Sequence, residues 1–222
     1  QWIYPLGGTK PPDRVRGEHS GMEVLREVCG RPAGEVIVPQ VNPEALKPVK
    51  QSKNLADEFK PGSKHKVILE GPPGTGKTTV LREIALIHAE AGAAVLHVCF
   101  NKVLAADQRR EYEVLKKSEY GFIDVHDQWE FYSGFKANVA FKDKGSVAAK
   151  IKGAIDELPP NEVMLYDTIL IDESQDLDQD FFEALELVAR PNASWFLAYG
   201  EGQEIYNFGT DIKNPAEWVV EF

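Results

Sequence analysis

Short apolar runs alternate with longer amphipathic segments along most of the chain after residue 66. Five runs rich in β-branched and other apolar residues predict strands, at 67–69, 93–100, 122–125, 168–171 and 194–199. The segments that follow them predict helices at 77–90, from the end of the second strand to about 117, and at 127–135, 147–158 and 179–189. Strands that alternate with helices indicate βαβ units. The pattern therefore predicts an α/β fold with a mostly parallel sheet and helices on both of its faces.

The first 62 residues follow a different pattern. Proline and glycine recur throughout residues 1–40, which predicts an irregular arm with one short helix at 22–28. A second helix is predicted over 43–59, where Asn42 and Pro43 form a start signal and Pro61-Gly62 a stop. We therefore divide the chain into an N-terminal arm and helix, residues 1–62, and an α/β domain, residues 63–222. An alternative interpretation is that this arm is the tail of an upstream domain.

Composition places the chain among ordinary globular proteins. Its 222 residues are 43% hydrophobic and 27% charged, enough apolar material for a core without disulfides. No apolar run approaches the roughly 20 residues of a membrane helix, and no secretory leader is visible. Cys29 and Cys99 match neither a metal-binding nor a disulfide spacing. These features predict a cytoplasmic protein without a membrane partner.

Charge is distributed unevenly along the chain. The net charge is −10, which argues against a protein that holds nucleic acid over its whole surface. Residues 161–222 contain 14 acidic and two basic side chains. We expect this acidic part to face solvent or something positive, such as a metal, a partner or another domain.

The first predicted strand ends in a glycine-rich loop that matches the phosphate-binding motif G-x-x-x-x-G-K-[ST]. Glycines let several backbone N–H groups converge on one anion, and the following helix adds the partial positive charge of its N-terminus. Lys77 is predicted to reach the β- and γ-phosphates of ATP, and the Thr78 hydroxyl to bind Mg²⁺. The candidate nucleotide-binding residues are Gly71, Pro72, Pro73, Gly74, Thr75, Gly76, Lys77, Thr78 and Thr79.

The fourth predicted strand ends in two carboxylates, Asp172 and Glu173. Ligands of α/β sheets lie beyond the carboxyl ends of the strands, where the glycine-rich loop is also expected. Asp172 is predicted to hold Mg²⁺, and Glu173 to orient and deprotonate the attacking water. The plain alternative is a strand end whose carboxylates are only solvated.

These carboxylates belong to a longer motif, Asp172-Glu173-Ser174-Gln175-Asp176, which resembles motif II of superfamily 1 helicases. Residues 99–106 resemble motif Ia of that family, and residues 200–208 resemble motif III of its UvrD/Rep-like branch. Residues 125–127 stand where members of that family carry a Thr-Phe-His segment that contacts single-stranded nucleic acid. The resemblance covers residues 66–209 and implies the first RecA-like motor domain of such a helicase.

The resemblance also implies roles for further residues. Gln203 would sense the γ-phosphate, as a third catalytic residue beside Lys77 and Glu173. Members of the family recognise adenine through a glutamine, and Gln51 is the candidate for that role in this chain. The cofactors would be ATP and Mg²⁺, and the partner single-stranded nucleic acid, with DNA favoured over RNA. The candidate nucleic-acid contacts are Phe100, Asn101, His126, Tyr206 and Phe208.

Each of these contacts also has a structural interpretation. Phe100 is equally suited to the core, Asn101 to capping the next helix, and His126 to a structural role. Tyr206 and Phe208 are spaced as one face of a buried turn. Stacking of bases on aromatic rings would otherwise contribute about 1–3 kcal/mol per base.

Departures from the family pattern affect the expected activity. Glu201 stands where the family has aspartate, and Phe208 where it has tryptophan. Helicases of this family carry a second RecA-like domain with catalytic arginines, and only 13 residues follow Gly209. We therefore expect that C-terminal domain to lie outside this chain, and the isolated chain to hydrolyse ATP weakly. The alternatives are an AAA+-type or other P-loop ATPase, or a nucleotide-dependent regulatory module, that does not act on nucleic acid.

Overall fold

The computed structural model describes residues 50–115, 121–135, 146–159, 162–200 and 218–221. The chain divides into two units, Gln1–Asn42 and Pro43–Phe222, and every described residue belongs to the second. The short helix predicted at 22–28 lies outside the described residues.

A parallel sheet of six strands forms the centre of the described part, in the order β3-β2-β4-β5-β1-β6. The α/β fold with a parallel sheet is therefore confirmed. Five of the strands were predicted and the sixth was not. The strands are β1 (Lys66–Glu70), β2 (Val95–Cys99), β3 (Ile123–Asp127), β4 (Tyr166–Asp172), β5 (Ala189–Tyr199) and β6 (Trp218–Glu221).

Helices follow the strands as the hydrophobic pattern predicted, with ends set by local capping. Asp178 accepts a hydrogen bond from the backbone N–H of Phe181, and Ser146 from that of Ala149, so each caps the helix that follows it. None of the described helices has the length and apolar character needed to cross a bilayer. The helices are α1 (Lys50–Glu58), α2 (Lys77–Glu90), α3 (Lys102–Leu115), α4 (Gln128–Gly134), α5 (Val147–Asp156) and α6 (Gln179–Glu186).

Both faces of the sheet are covered, as predicted. Helices α1, α2 and α3 pack against one face, where Phe59, Ile84 and Leu69 belong to one buried cluster. Helices α4, α5 and α6 cover the other face, where Ile171 and Phe181 belong to a second cluster. From the sequence we grouped this helix, α1, with the N-terminal arm, but in the structure α1 contributes to the core beside α2. The division into residues 1–62 and 63–222 stays a prediction.

Strand β5 begins earlier than predicted, at Ala189 instead of residue 194. Tyr166 pairs with Ala189 and Thr168 with Ser194, so the register shifts between these two pairs. The extra residues include Pro191 and Asn192. These are turn-forming residues that a strand accommodates at an irregularity, which is why the hydrophobic pattern hid this part of the strand.

Candidate nucleotide site

The phosphate loop and the acidic strand end lie at the same edge of the sheet. All strands are parallel, so their carboxyl ends point the same way. Strand β1 leads into residues 71–76, and β4 ends at Asp172. Strand β5 lies between them and pairs with both. The topology therefore brings together two motifs that are far apart in the chain.

Two glycines give the loop a backbone conformation that other residues rarely adopt. Gly74 has φ +77° and Gly76 has φ +98°, values that side chains with a Cβ rarely adopt. Gly76 also caps α2, so the loop runs directly into a helix N-terminus. The Gly71 N–H donates to the Tyr199 carbonyl at 3.3 Å, which ties the start of the loop to β5.

Lys77 is buried at the base of this loop, with 7% of its surface exposed. Its Nζ donates to the carbonyl oxygens of Gly71, at 2.6 Å, and Pro72, at 3.0 Å. These neutral acceptors hold the ammonium group within the loop. Phosphate oxygens are charged acceptors that make stronger hydrogen bonds to the same group.

Asp172 is almost fully buried at the end of β4, and burial raises its pKa to about 6. A hydrogen bond from the Thr78 hydroxyl and the charge of Lys77 lower the pKa in part, so these three side chains lie close together. The carboxyl Oδ1 accepts the Glu173 N–H at 3.0 Å. Its Oδ2 is buried and has no well-aligned hydrogen-bond partner among the described residues.

This arrangement fits Mg²⁺ bound together with a nucleotide. Mg²⁺ prefers oxygen ligands and commonly takes one or two from the protein, with phosphates and water completing its shell. The buried Asp172 Oδ2 and the Thr78 hydroxyl are such ligands. In the part of the chain that the structure describes, no group of three or more His, Cys, Asp or Glu side chains forms an all-protein metal site.

Glu173 has φ +53°, and within the described ranges it is the only residue other than glycine with a positive φ. A left-handed conformation costs a residue with a Cβ roughly 1–2 kcal/mol. The Glu173 carbonyl accepts the Asp176 N–H at 3.1 Å, and its carboxylate accepts the Gln175 side-chain amide at 2.5 Å. Strain of this kind is retained most often at functional sites.

Sequence analysis did not identify Gln175 as a site residue. Gln175 is buried, and its side chain contacts both the Glu173 carboxylate and the Gly200 N–H. Its place two positions after Glu173, within the motif already recognised, was the signal that could have identified it.

Helix α1 lies beside the phosphate loop. A Cβ built on Gly76 would be 3.5 Å from the Ser52 Oγ, so the first turn of α1 approaches the start of α2. Gln51 is adjacent to Ser52, but its side chain lies outside the described residues. Its role in reading adenine stays a prediction.

Three of the predicted nucleic-acid contacts lie at the ends of β2 and β3. Phe100 is partly buried and packs against the α4–α6 core. The Asn101 Oδ1 accepts the Leu104 N–H at 2.9 Å and so caps the first turn of α3. The His126 Nε2 lies 2.8 Å from an Asp124 carboxylate oxygen. Their contacts with nucleic acid stay predictions; Gln203, Tyr206 and Phe208 lie outside the described residues.

A family model described as an AAA domain matches residues 59–209, which is more than half of the chain. The chain belongs to this family. The match begins at the end of α1, spans the phosphate loop and the acidic strand end, and continues past Gly200. No curated protein matches the chain. The AAA domain thus has the RecA-like α/β fold of P-loop NTPases.

Proposed function

We propose that this AAA domain binds ATP with Mg²⁺, hydrolyses it, and acts as the motor domain of a superfamily 1 helicase-like protein. The observation that carries the hydrolytic part is the proximity of Thr78 and Lys77 to the buried Asp172 carboxylate. Residues 94 positions apart in sequence converge on one point where ligand oxygens and a cation would be stabilised.

Each of these residues has a distinct task in the proposed reaction. The N–H groups of the loop and the Lys77 ammonium bind the phosphates and neutralise charge that develops on them. Thr78 and Asp172 would hold Mg²⁺, which supplies further charge neutralisation when bound. Glu173 orients a water molecule and accepts its proton, the role of a general base.

The nucleic-acid part of the proposal rests on motif resemblance and on position. The segments that resemble motifs Ia and II end neighbouring strands, β2 and β4, at the edge that carries the nucleotide site. Single-stranded DNA is favoured over RNA as the partner. A second RecA-like domain of the same protein would supply the arginines that accelerate hydrolysis, by about 10³–10⁵-fold in related NTPases.

One observation favours the alternative, an AAA-type ATPase or nucleotide-dependent module without a nucleic-acid partner. Phe100, Asn101 and His126 are all engaged by contacts within the domain. These contacts explain the three residues without a nucleic acid.

The test combines nucleotide binding, turnover and nucleic-acid response. Binding is measured with a fluorescent ATP analogue and Mg²⁺. Hydrolysis is measured under single-turnover conditions, with protein in excess over labelled ATP, because slow turnover is expected. Single-stranded DNA and RNA oligonucleotides are then added. We expect binding, slow hydrolysis, and a change in the hydrolysis rate with single-stranded DNA.

Glu173→Gln separates the parts of the proposal. This substitution removes the base but nearly preserves shape, so ATP binding should persist while turnover falls by roughly 10²-fold or more. Turnover that survives it would refute the role of Glu173. A domain that hydrolyses ATP but neither binds nor responds to either oligonucleotide would support the alternative.

A further inference from the structure

The Gln175 side chain connects the proposed general base to the carboxyl end of β5. Its Nε2 donates to a Glu173 carboxylate oxygen at 2.5 Å, and its Oε1 accepts the Gly200 N–H at 3.1 Å. Gly200 follows directly after β5, the strand between the phosphate loop strand and β4. One buried amide therefore contacts two parts of the nucleotide edge.

The orientation of this amide is determined by its two partners. A carboxylate only accepts hydrogen bonds and a backbone N–H only donates. Rotating the amide by half a turn would place its oxygen against the Glu173 carboxylate and its NH₂ group against the Gly200 N–H. Both contacts would then be repulsive, so one orientation is selected without reference to a ligand.

The backbone around Gln175 is fixed to the same strand. Gln175 belongs to a short 3-10 turn, Ser174–Asp176, and the Ser174 hydroxyl donates to the Ala198 carbonyl at 2.8 Å. The turn is thus attached to Ala198 within β5 and to Gly200 directly after it. With its backbone and its amide both held, Gln175 presents the Nε2 donor in a defined place.

The Glu173 carboxylate needs such a donor because its side chain has three rotatable bonds. A base that must face one water molecule loses efficiency when its carboxylate samples several orientations. We propose that Gln175 is a positioning residue, which holds the Glu173 carboxylate in its working orientation by anchoring it to the end of β5. This inference rests on the proposed function, in which Glu173 is the base.

Two substitutions of Gln175 test its two hydrogen bonds. Gln175→Leu removes both. Gln175→Glu keeps the side-chain length and an acceptor for the Gly200 N–H, but it replaces the donor to Glu173 with a repelling carboxylate. We expect both variants to lower kcat by roughly 10- to 100-fold, the effect of a lost hydrogen bond to a charged group. The KM for ATP should stay within about threefold, because the phosphate loop is unchanged.

Asp178→Ala is the matched control. Asp178 lies three positions after Gln175 and caps α6, with its Oδ1 accepting the Phe181 N–H at 2.8 Å. Its loss should lower the melting temperature and leave kcat within about twofold, since it has no role at Glu173. A purely structural role for Gln175 would give the same result as this control, and that result would overturn the inference.

A double variant makes the test specific to Glu173. If Gln175 acts through Glu173, then Glu173→Gln combined with Gln175→Leu should be no slower than Glu173→Gln alone. Additive losses would overturn the inference.

The same variants distinguish failure of the inference from failure of the proposed function. If Glu173→Gln retains turnover, the proposed role of Glu173 as the base is refuted, and the inference about Gln175 is refuted with it. If Glu173→Gln is inactive while both Gln175 variants keep the wild-type kcat, only the present inference fails. Should Gln175→Leu not fold, the isosteric Gln175→Glu decides the matter alone.

Discussion

The strand ends around the nucleotide site differ from those that carry the predicted nucleic-acid contacts. At the ends of β1 and β4, Gly76 and Glu173 have positive φ angles, and Asp172 has a buried oxygen without a well-aligned partner among the described residues. At the ends of β2 and β3, Asn101 caps a helix and His126 pairs with Asp124. The first pair of strand ends carries a strained residue, Glu173, whereas Asn101 and His126 at the second are engaged by the fold. A buried oxygen without a well-aligned partner among the described residues occurs at both, because Asp127 Oδ2 at the end of β3 shares this property with Asp172.

This difference indicates where ligand binding contributes most to stability. A strained backbone costs free energy, and folds retain it most often where a ligand or the chemistry requires it. At the nucleotide site, a bound ligand would supply the missing contacts. At the ends of β2 and β3, a nucleic acid would have to bind Asn101 and His126 in their present arrangement or displace the contacts that they make within the domain. Four predictions test this comparison.

The largest effect is expected from Lys77→Met. The substitution removes the ammonium group that now donates to Gly71 and Pro72 and would neutralise phosphate charge. Turnover should fall by roughly 10²–10³-fold, as when a single charge-stabilising donor is removed from an active site. The control is Lys64→Met, at an exposed position before β1, which should hydrolyse ATP like the wild type. Equal rates in all three proteins would refute the assignment of the site.

The second prediction concerns pH and a buried histidine on β2. His97 on β2 is fully buried, with Nδ1 2.7 Å from the Tyr112 hydroxyl. Burial, with a smaller contribution from the charge of Arg82, lowers its pKa to about 3. In the unfolded chain the pKa is about 6.5, so below that pH the unfolded state binds the extra proton and stability is lost as pH falls.

The expected slope is about 1.4 kcal/mol of unfolding free energy per pH unit between roughly pH 6 and pH 4. His97→Gln lacks this titration and should lose less stability over the same range. Burial also lowers the pKa of His88, which adds a slope of the same sign to both proteins. Urea unfolding at several pH values measures the difference. If the unfolding free energy of the two proteins depended on pH in the same way, a neutral, buried His97 would be contradicted.

The third prediction uses two glycines with similar backbone angles. Gly76 has φ +98° and Gly92 has φ +86°, and neither site would crowd an added Cβ. Alanine at either position should lower the unfolding free energy by roughly 1–2 kcal/mol through backbone strain. Only Gly76→Ala should also weaken binding of the ATP analogue, by about tenfold or more, because only that strain distorts the phosphate loop. Equal nucleotide affinities in the two variants would show that the loop tolerates the change.

Much of the fold was predictable from sequence because its signals are local. The α2 range was predicted to the residue, since Gly76 and Gly92 mark its limits and its apolar positions face the sheet. Strand β6 was missed because residues 218–221 stand alone after a segment without βα periodicity. The early start of β5 was missed because Pro191 and Asn192 resemble a turn.

The candidate site was predictable only in part for the same reason. Lys77 and Thr78 belong to a contiguous motif, and Asp172 ends a recognisable strand. The role of Gln175 depends on the Gly200 N–H, 25 positions away, and on the side-chain orientation that this contact selects. Neither hydropathy nor motif spacing carries that information, because it arises when β4 and β5 pair.

The smallest effect separates the two possible roles of Asn101. As a helix cap, Asn101 accepts the Leu104 N–H, so Asn101→Ala should lower the unfolding free energy by about 1 kcal/mol. Asn101→Asp keeps a capping oxygen at a helix N-terminus and should preserve stability. Its negative charge would, however, repel the phosphates of a nucleic acid bound at the end of β2. Binding of single-stranded DNA, measured by fluorescence anisotropy, should therefore weaken in Asn101→Asp although the protein remains as stable as the wild type. If Asn101→Asp binds DNA normally, Asn101 is a cap alone, and the end of β2 does not contact nucleic acid at this position.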